Sequence, residues 1–118
     1  MTQPPNVDIV IEHGAEEVRV TVTGDIDLAG VAALERARAK ALDGHPDSML
    51  IDLRGVNFVD SSGLRFLLQT ERAARSHGCT LRLLRPADSA MQVFVVTGAE
   101  RHLSFVDDDT GVSERPLS

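Results

Sequence analysis

The stretch Met49-Leu50-Ile51-Asp52-Leu53-Arg54-Gly55-Val56-Asn57-Phe58-Val59-Asp60-Ser61-Ser62-Gly63-Leu64 decides the fold. Its first five residues form a nearly continuous apolar run. A short run of that kind reads as a strand buried on both faces, hence a central parallel strand. An apolar approach follows, then an acid, two hydroxyls and a glycine. From there Leu64, Leu67, Leu68 and Ala74 fall at helical spacing, and the spacing predicts a helix over 62–77, stopped by Gly78. A buried strand feeding directly into an amphipathic helix is the repeating unit of an α/β sheet.

The flanks extend this pattern in both directions. Upstream, Val7, Ile9 and Ile11 alternate with Asp8, Val10 and Glu12, and Val18, Val20 and Val22 alternate with Arg19, Thr21 and Thr23. The turn signal His13-Gly14-Ala15-Glu16 between them makes an antiparallel hairpin. Gly24-Asp25-Ile26-Asp27 ends the second strand, and Asp27 is a helix N-cap. Residues 28–43 then read as a helix with Val31, Leu34, Ala37, Ala41 and Leu42 inward and Arg36, Arg38 and Lys40 on a solvated face; Gly44 and Pro46 stop it. Downstream, Thr80–Leu84 is a strand. Pro86 suits the first turn of a further helix with Met91, Phe94 and Val95 inward, closed by Gly98. Val93–Val96 alone also reads as a strand, but the flanking Pro and Gly favour the helix. Leu103–Val106 is a short last strand. The expectation is a single α/β domain over residues 7–106, β-β-α-β-α-β-α-β, in which an antiparallel N-terminal hairpin edges a sheet of parallel β-α-β units with right-handed crossovers. Residues 1–6 are expected to form a flexible tail, and 107–118 a disordered acidic one.

Composition narrows the function. The chain has 118 residues, 42% hydrophobic and 25% charged, which suits one soluble domain with its own core. A net charge of −6 lacks the basic footprint that nucleic acid or an anionic membrane demands. The only aromatics are four Phe, so there is no stacking platform for single strands. The single cysteine, Cys79, excludes an intramolecular disulfide and reads as a small buried hydrophobe. His13, His45, His77 and His102 show no ligand spacing, so no metal is expected. No apolar run reaches the ~18 residues of a membrane span. The first six residues carry neither the basic patch nor the apolar stretch of a signal peptide, so a cytoplasmic location is expected. There is no Gly-x-Ser-x-Gly elbow and no phosphate loop, and no catalytic residue is assigned.

Two readings of Asp60-Ser61-Ser62-Gly63 remain open on spacing alone. In the first, acid and hydroxyls simply cap a helix, worth ~0.5–2 kcal/mol each. In the second, a serine at a helix N-terminus, whose free N–H groups and dipole tolerate an added anion, is a phosphorylation site. The site lies at the carboxyl end of a buried strand, where open α/β sheets place functional loops.

Phe58-Val59-Asp60-Ser61-Ser62-Gly63-Leu64 resembles the phosphorylation motif of bacterial anti-sigma factor antagonists, which are single STAS domains. Gly24-Asp25-Ile26-Asp27, the Ile51-Asp52-Leu53 strand and Val96-Thr97-Gly98 extend the resemblance over about residues 7–106. It implies that Ser61, directly after the motif's Asp, is phosphorylated by a cognate anti-sigma factor serine kinase. Asp60 would present Ser61, Ser62 would be mainly structural, and Gly63, Gly24, Asp25 and Asp27 would contribute to the partner surface. It also implies a partner switch in which the unphosphorylated form binds the anti-sigma factor and frees a sigma factor. A phosphatase would reset the switch. No cofactor is expected on this chain, since ATP and Mg²⁺ belong to the kinase, and a monomer is favoured. The alternative is a STAS accessory or scaffold subunit of a transporter or stress-signalling complex. The family usually continues into a C-terminal helix, whereas residues 107–118 show no apolar stripe.

Overall fold

In the computed structural model, which describes residues 4–107, the sheet is laid down in chain order. Strands β1 (Val7–His13) and β2 (Glu17–Ile26) form the hairpin. Helix α1 (Val31–Asp43), strand β3 (Ser48–Val59), helix α2 (Ser61–Ser76), strand β4 (Thr80–Leu84), helix α3 (Asp88–Thr97) and strand β5 (Phe105–Val106) follow. The sheet order is β1-β2-β3-β4-β5, with β1 antiparallel to β2 and every other pair parallel. The expected class and element order are therefore what the chain adopts. Residues 1–3 and 108–118, which include nearly all of the expected C-terminal tail, lie outside the described residues. Asn6, at the end of the expected N-terminal tail, is hydrogen-bonded to Asp25 through backbone and side chain.

When strand order advances in one direction through right-handed crossovers, every helix falls on one face. The core bears this out. Val18 and Val20 lie level with Met49 and Ile51, which in turn pair with Leu81 and Leu83. These side chains share one buried cluster with Leu34 of α1, Phe66 and Leu67 of α2, and Phe94 of α3. Phe94 meets Phe105 edge-on at 5.1 Å. Cys79, just before β4, is buried, and burial pushes its thiol pKa up, with Asp47 adding to the shift.

Several local expectations are corrected. Strand β3 does not stop at Leu53 but continues to Val59. Irregular register between Thr21 and Thr23, and again between Gly24 and Asp25, inserts extra β3 residues opposite β2. These bulges turn Leu53, Val56 and Val59 inward at intervals of three, which breaks the alternation that identifies a strand. The first helix begins with a separate 3-10 turn, Leu28–Gly30, and is α-helical only from Val31. The second runs over 61–76, one residue earlier than expected. Pro86 precedes the N-cap Ala87 instead of entering α3. Val95 faces outward, 47% exposed, and Ala90 takes the inward place beside Met91 and Phe94. Arg38 does not belong to a solvated face: its guanidinium lies 4.9 Å from the Phe66 ring centre and donates to the Thr70 hydroxyl at 3.0 Å.

The opposite face of the sheet carries no helix among the described residues, yet Leu50, Asp52 and Leu84 on it are buried. Leu50 is flanked in its row by Arg19 and Arg82, whose aliphatic stems can cover it while their heads stay wet. Asp52 anchors the arginine layer. Its carboxylate accepts from Arg19 Nη2 at 2.9 Å, from Arg54 Nε and Nη2 at 3.0 and 2.9 Å, and from the Arg54 backbone N–H at 3.0 Å.

The Arg54 side-chain bonds hold the Asp52 carboxyl below its ordinary value of 3.8 against the opposing effect of burial, with the Arg54 backbone bond and Arg19 adding to the shift. The folded chain thus binds this proton less tightly than the unfolded chain. The cluster's full contribution is present above about pH 4 and is lost as pH falls through the lowered folded value. Asp52→Asn should cost about 1–3 kcal/mol at pH 7, the range for hydrogen bonds to a charged group with one partner half exposed. Urea melts of wild type and variant at pH 7, and at pH 3 and below, should show that gap narrowing in acid; an undiminished gap would assign the cost to packing instead.

Candidate functional site at the start of helix α2

The site grows from the end of β3. Register places Ile26 opposite Val59 and Asp25 opposite Phe58, so the expected loop Gly24–Asp27 runs alongside the motif. Asp60 then joins three segments. Its backbone N–H donates to Ile26 O at 3.2 Å. Its Oδ1 accepts from the Gly63 N–H at 2.9 Å, which makes it the N-cap of α2, and its Oδ2 accepts from the Leu28 N–H at 3.3 Å. Asp60 was expected to present Ser61. The structure shows it as the helix cap and as a clamp between the β2–α1 connection and the helix start.

Gly63 is required by contact rather than by backbone angle. A Cβ there would lie 2.2 Å from Ile26 O and 2.6 Å from Ile26 Cγ2, so only glycine lets the first turn of α2 close onto the end of β2. Gly24 has φ +102°, and a Cβ on it would lie 2.2 Å from Asn6 O. The neighbouring Asp25 is held by Asn6, whose backbone oxygen accepts from its N–H at 2.8 Å and whose Nδ2 donates to its Oδ2 at 2.9 Å. Asp27 was read as the cap of the first helix. It caps the 3-10 turn, accepting from Gly30 N–H at 3.3 Å.

Ser61 is the first residue of α2 and is exposed; Ser62 is half-buried beneath it. The Ser61 hydroxyl makes no hydrogen bond among the described residues, and no histidine or carboxylate contacts it as an activating base would. It stands at the positive end of a helix of sixteen residues, with first-turn N–H groups beneath it. The arrangement suits an acceptor hydroxyl that another molecule reaches from solvent, not an internal nucleophile.

Two apolar side chains complete the surface, and the sequence reading did not single them out for it. Leu28 is 73% exposed and Phe58 51%. Leu28 looked like the first residue of a helix, but its place in the 3-10 turn projects it outward. Phe58 stood inside the quoted motif, yet only the second bulge, which turns Val59 inward, shows that Phe58 must face water. Phe66, one turn further along α2, is by contrast buried in the core.

Comparison with known proteins places this geometry. A family model described as Mlab, STAS domain, matches residues 9–107. The anti-sigma-F factor antagonist RsfB of Mycobacterium tuberculosis is 34% identical over 71 residues; the match covers 59% of this chain and only 57% of RsfB. The crystal structure of an anti-sigma factor antagonist from Mycobacterium paratuberculosis superposes with a TM-score of 0.79 at 22% identity, over 92% of each chain. SpoIIAA of Bacillus, known in an unphosphorylated and a phosphorylated form, superposes with TM-scores of 0.69 and 0.67 at 21% and 20% identity, over 89% of this chain and 93% and 96% of SpoIIAA. The family match spans the sheet from the middle of β1 to the residue after β5, and the chain therefore belongs to the STAS domain family.

Proposed function

We propose that this chain is an anti-sigma factor antagonist whose binding is switched by phosphorylation of Ser61. The observation that carries the reading is the exposed Ser61 hydroxyl, without a partner of its own at the N-terminus of α2, on a turn fixed by Asp60 and Gly63. In the unphosphorylated state the chain binds an anti-sigma factor in the cytoplasm and so frees a sigma factor. The anti-sigma factor is also the kinase. It brings ATP and Mg²⁺, its base takes the Ser61 proton, the new bond joins Oγ to the γ-phosphorus, and ADP leaves. A phosphatase reverses the state by hydrolysis.

The physics of the turn explains how a phosphate would release the partner without unfolding the domain. The helix dipole favours an added anion by ~0.3–1 kcal/mol, which offsets repulsion from Asp60. A partner fitted to a hydroxyl meets instead about −1.5 to −2 charges. One like-charge contact at ~4 Å costs between ~1 kcal/mol in bulk water and ~4 kcal/mol near a protein surface, and each ~1.4 kcal/mol is tenfold in affinity.

Phosphorylation by the cognate kinase, mapped by mass spectrometry, should place phosphate on Ser61 and leave Ser62 unmodified. Phosphate on Ser62 alone would overturn the residue assignment. A pull-down with unphosphorylated chain should recover an anti-sigma factor of the kinase type; recovery of transporter subunits instead would favour an accessory role.

Calorimetry at fixed salt should give Ser61→Ala an affinity for the anti-sigma factor close to that of wild type. Ser61→Asp, with about half the charge of a phosphate and less bulk, should be weakened at least about tenfold. Equal affinities for all three proteins would place Ser61 outside the interface.

A further inference from the structure

From Ser61 a groove leads away along the outer flank of α2. Near the serine it is lined by Leu64, Arg65, Leu68, Gln69 and Arg72. Further on, Leu68 and Arg72 also line a second depression, between α2 and the short turn before β5, where Arg101, His102 and Leu103 form the far wall. The two hollows share Leu68 and Arg72 and lie side by side on one shallow, open surface. Its floor is apolar: Leu64 and Leu68 are half-buried and Leu103 is buried. Its walls are cationic. Arg65, Arg72 and Arg101 are exposed, and among the described residues their guanidinium groups make no hydrogen bond or ion pair. The one acid among the lining residues, Glu71, is already paired with Arg75 at 2.9 Å.

This is unexpected in a chain of net charge −6. On the other side of Ser61 lie Asp25, Asp27 and Asp60. The surface around the serine is thus polarised, with carboxylates on the β2 side and arginines along α2. Unpaired arginines beside an apolar floor are groups left for a binder of opposite charge, and opposed patches fix orientation and speed encounter.

We infer that the α2 groove is a second docking element for the anti-sigma factor, and that its occupant is an acidic segment of that partner. Apolar side chains of the segment sit on Leu64, Leu68 and Leu103, while its carboxylates meet Arg65, Arg72 and Arg101. The inference rests on the proposed antagonist function. It adds that the partner grips the domain along α2 as well as at the Ser61 turn, so that only one orientation brings the kinase centre over Ser61.

The test uses the full chain and the purified anti-sigma factor recovered by wild type. Arg65→Glu with Arg72→Glu should weaken binding at least about tenfold at low ionic strength. The difference should shrink at about 1 M salt, where the screening length is only ~3 Å. Arg65→Lys with Arg72→Lys should bind within about threefold of wild type, and Arg36→Glu, on an exposed part of α1, should change nothing. None of the replaced guanidinium groups holds the fold, so melting temperatures should agree. Equal affinity for wild type and the double reversal would overturn the groove and leave the antagonist reading intact. Failure of wild type to bind any anti-sigma factor would overturn the antagonist reading and the groove together. Two other occupants are distinguished in the same series. Tighter partner binding by Asp108→Asn with Asp109→Asn would assign the groove to the chain's own acidic end, and concentration-dependent dimerisation abolished by the double reversal would assign it to a second copy; either would overturn the proposal.

Discussion

A single carboxylate holds together the end of this domain that carries the candidate site. Asp60 takes one N–H from the first turn of α2 and another from the turn after β2, while its own backbone is bonded to the last residue of β2. Capping alone needs only one of these bonds. The second ties two segments separated by more than thirty residues of chain, and it can form only because Gly63 lets the helix approach Ile26 to within contact distance. Cap and close approach depend on each other: a side chain at position 63 would push the helix off, and loss of the carboxylate would leave two backbone N–H groups without their acceptor. Ser61 inherits its fixed position from this pair while taking part in neither bond.

The parts of the fold that were legible were those where one periodicity ran undisturbed. The alternation in β1 and β2, the apolar run 49–53 and the stripe of α2 all name their elements correctly, as does the Gly98 terminus of α3, which takes φ +80°. The misreadings cluster where two constraints act on one residue. Residues 54–59 read as an approach to the motif and not as strand because the bulges change the spacing of inward side chains from two to three. Val95 looks like core because its apolarity is visible while the rotation of its helix is not. Arg38 looks solvated because nothing local shows that Thr70 and Phe66, 32 and 28 residues later, will stand beneath it.

The candidate site divides the same way. Asp60 and Gly63 were legible as a helix start from their order and Asp27 as a cap from turn chemistry, whereas the site roles of Ser61 and Gly24 came only from the resemblance of the motif to antagonist sequences. Leu28 and Phe58 were not, because an apolar residue near a turn reads as core until the turn's geometry is known. The arginines of α2 were scattered single letters at positions 65, 72 and 75. Only the packing of the turn before β5 against the helix adds Arg101 and makes them one surface.

A sheet whose spatial order is its chain order has a consequence for motion. Every strand pairs with the one made just before it, so each loop to be closed is short and no strand waits for a distant partner. Cohesion is correspondingly uneven. The middle of the sheet is clasped on both sides, whereas β5 is two residues long and hangs on β4 through bonds such as Leu83 N–H to Ser104 O and Arg85 N–H to Val106 O. Opening free energies therefore decline toward that margin. The wall built from Arg101–Ser104 belongs to the yielding margin, and the turn bearing Ser61 to the rigid centre. One domain thus joins a margin held by few strand bonds to a turn held by a three-way clamp.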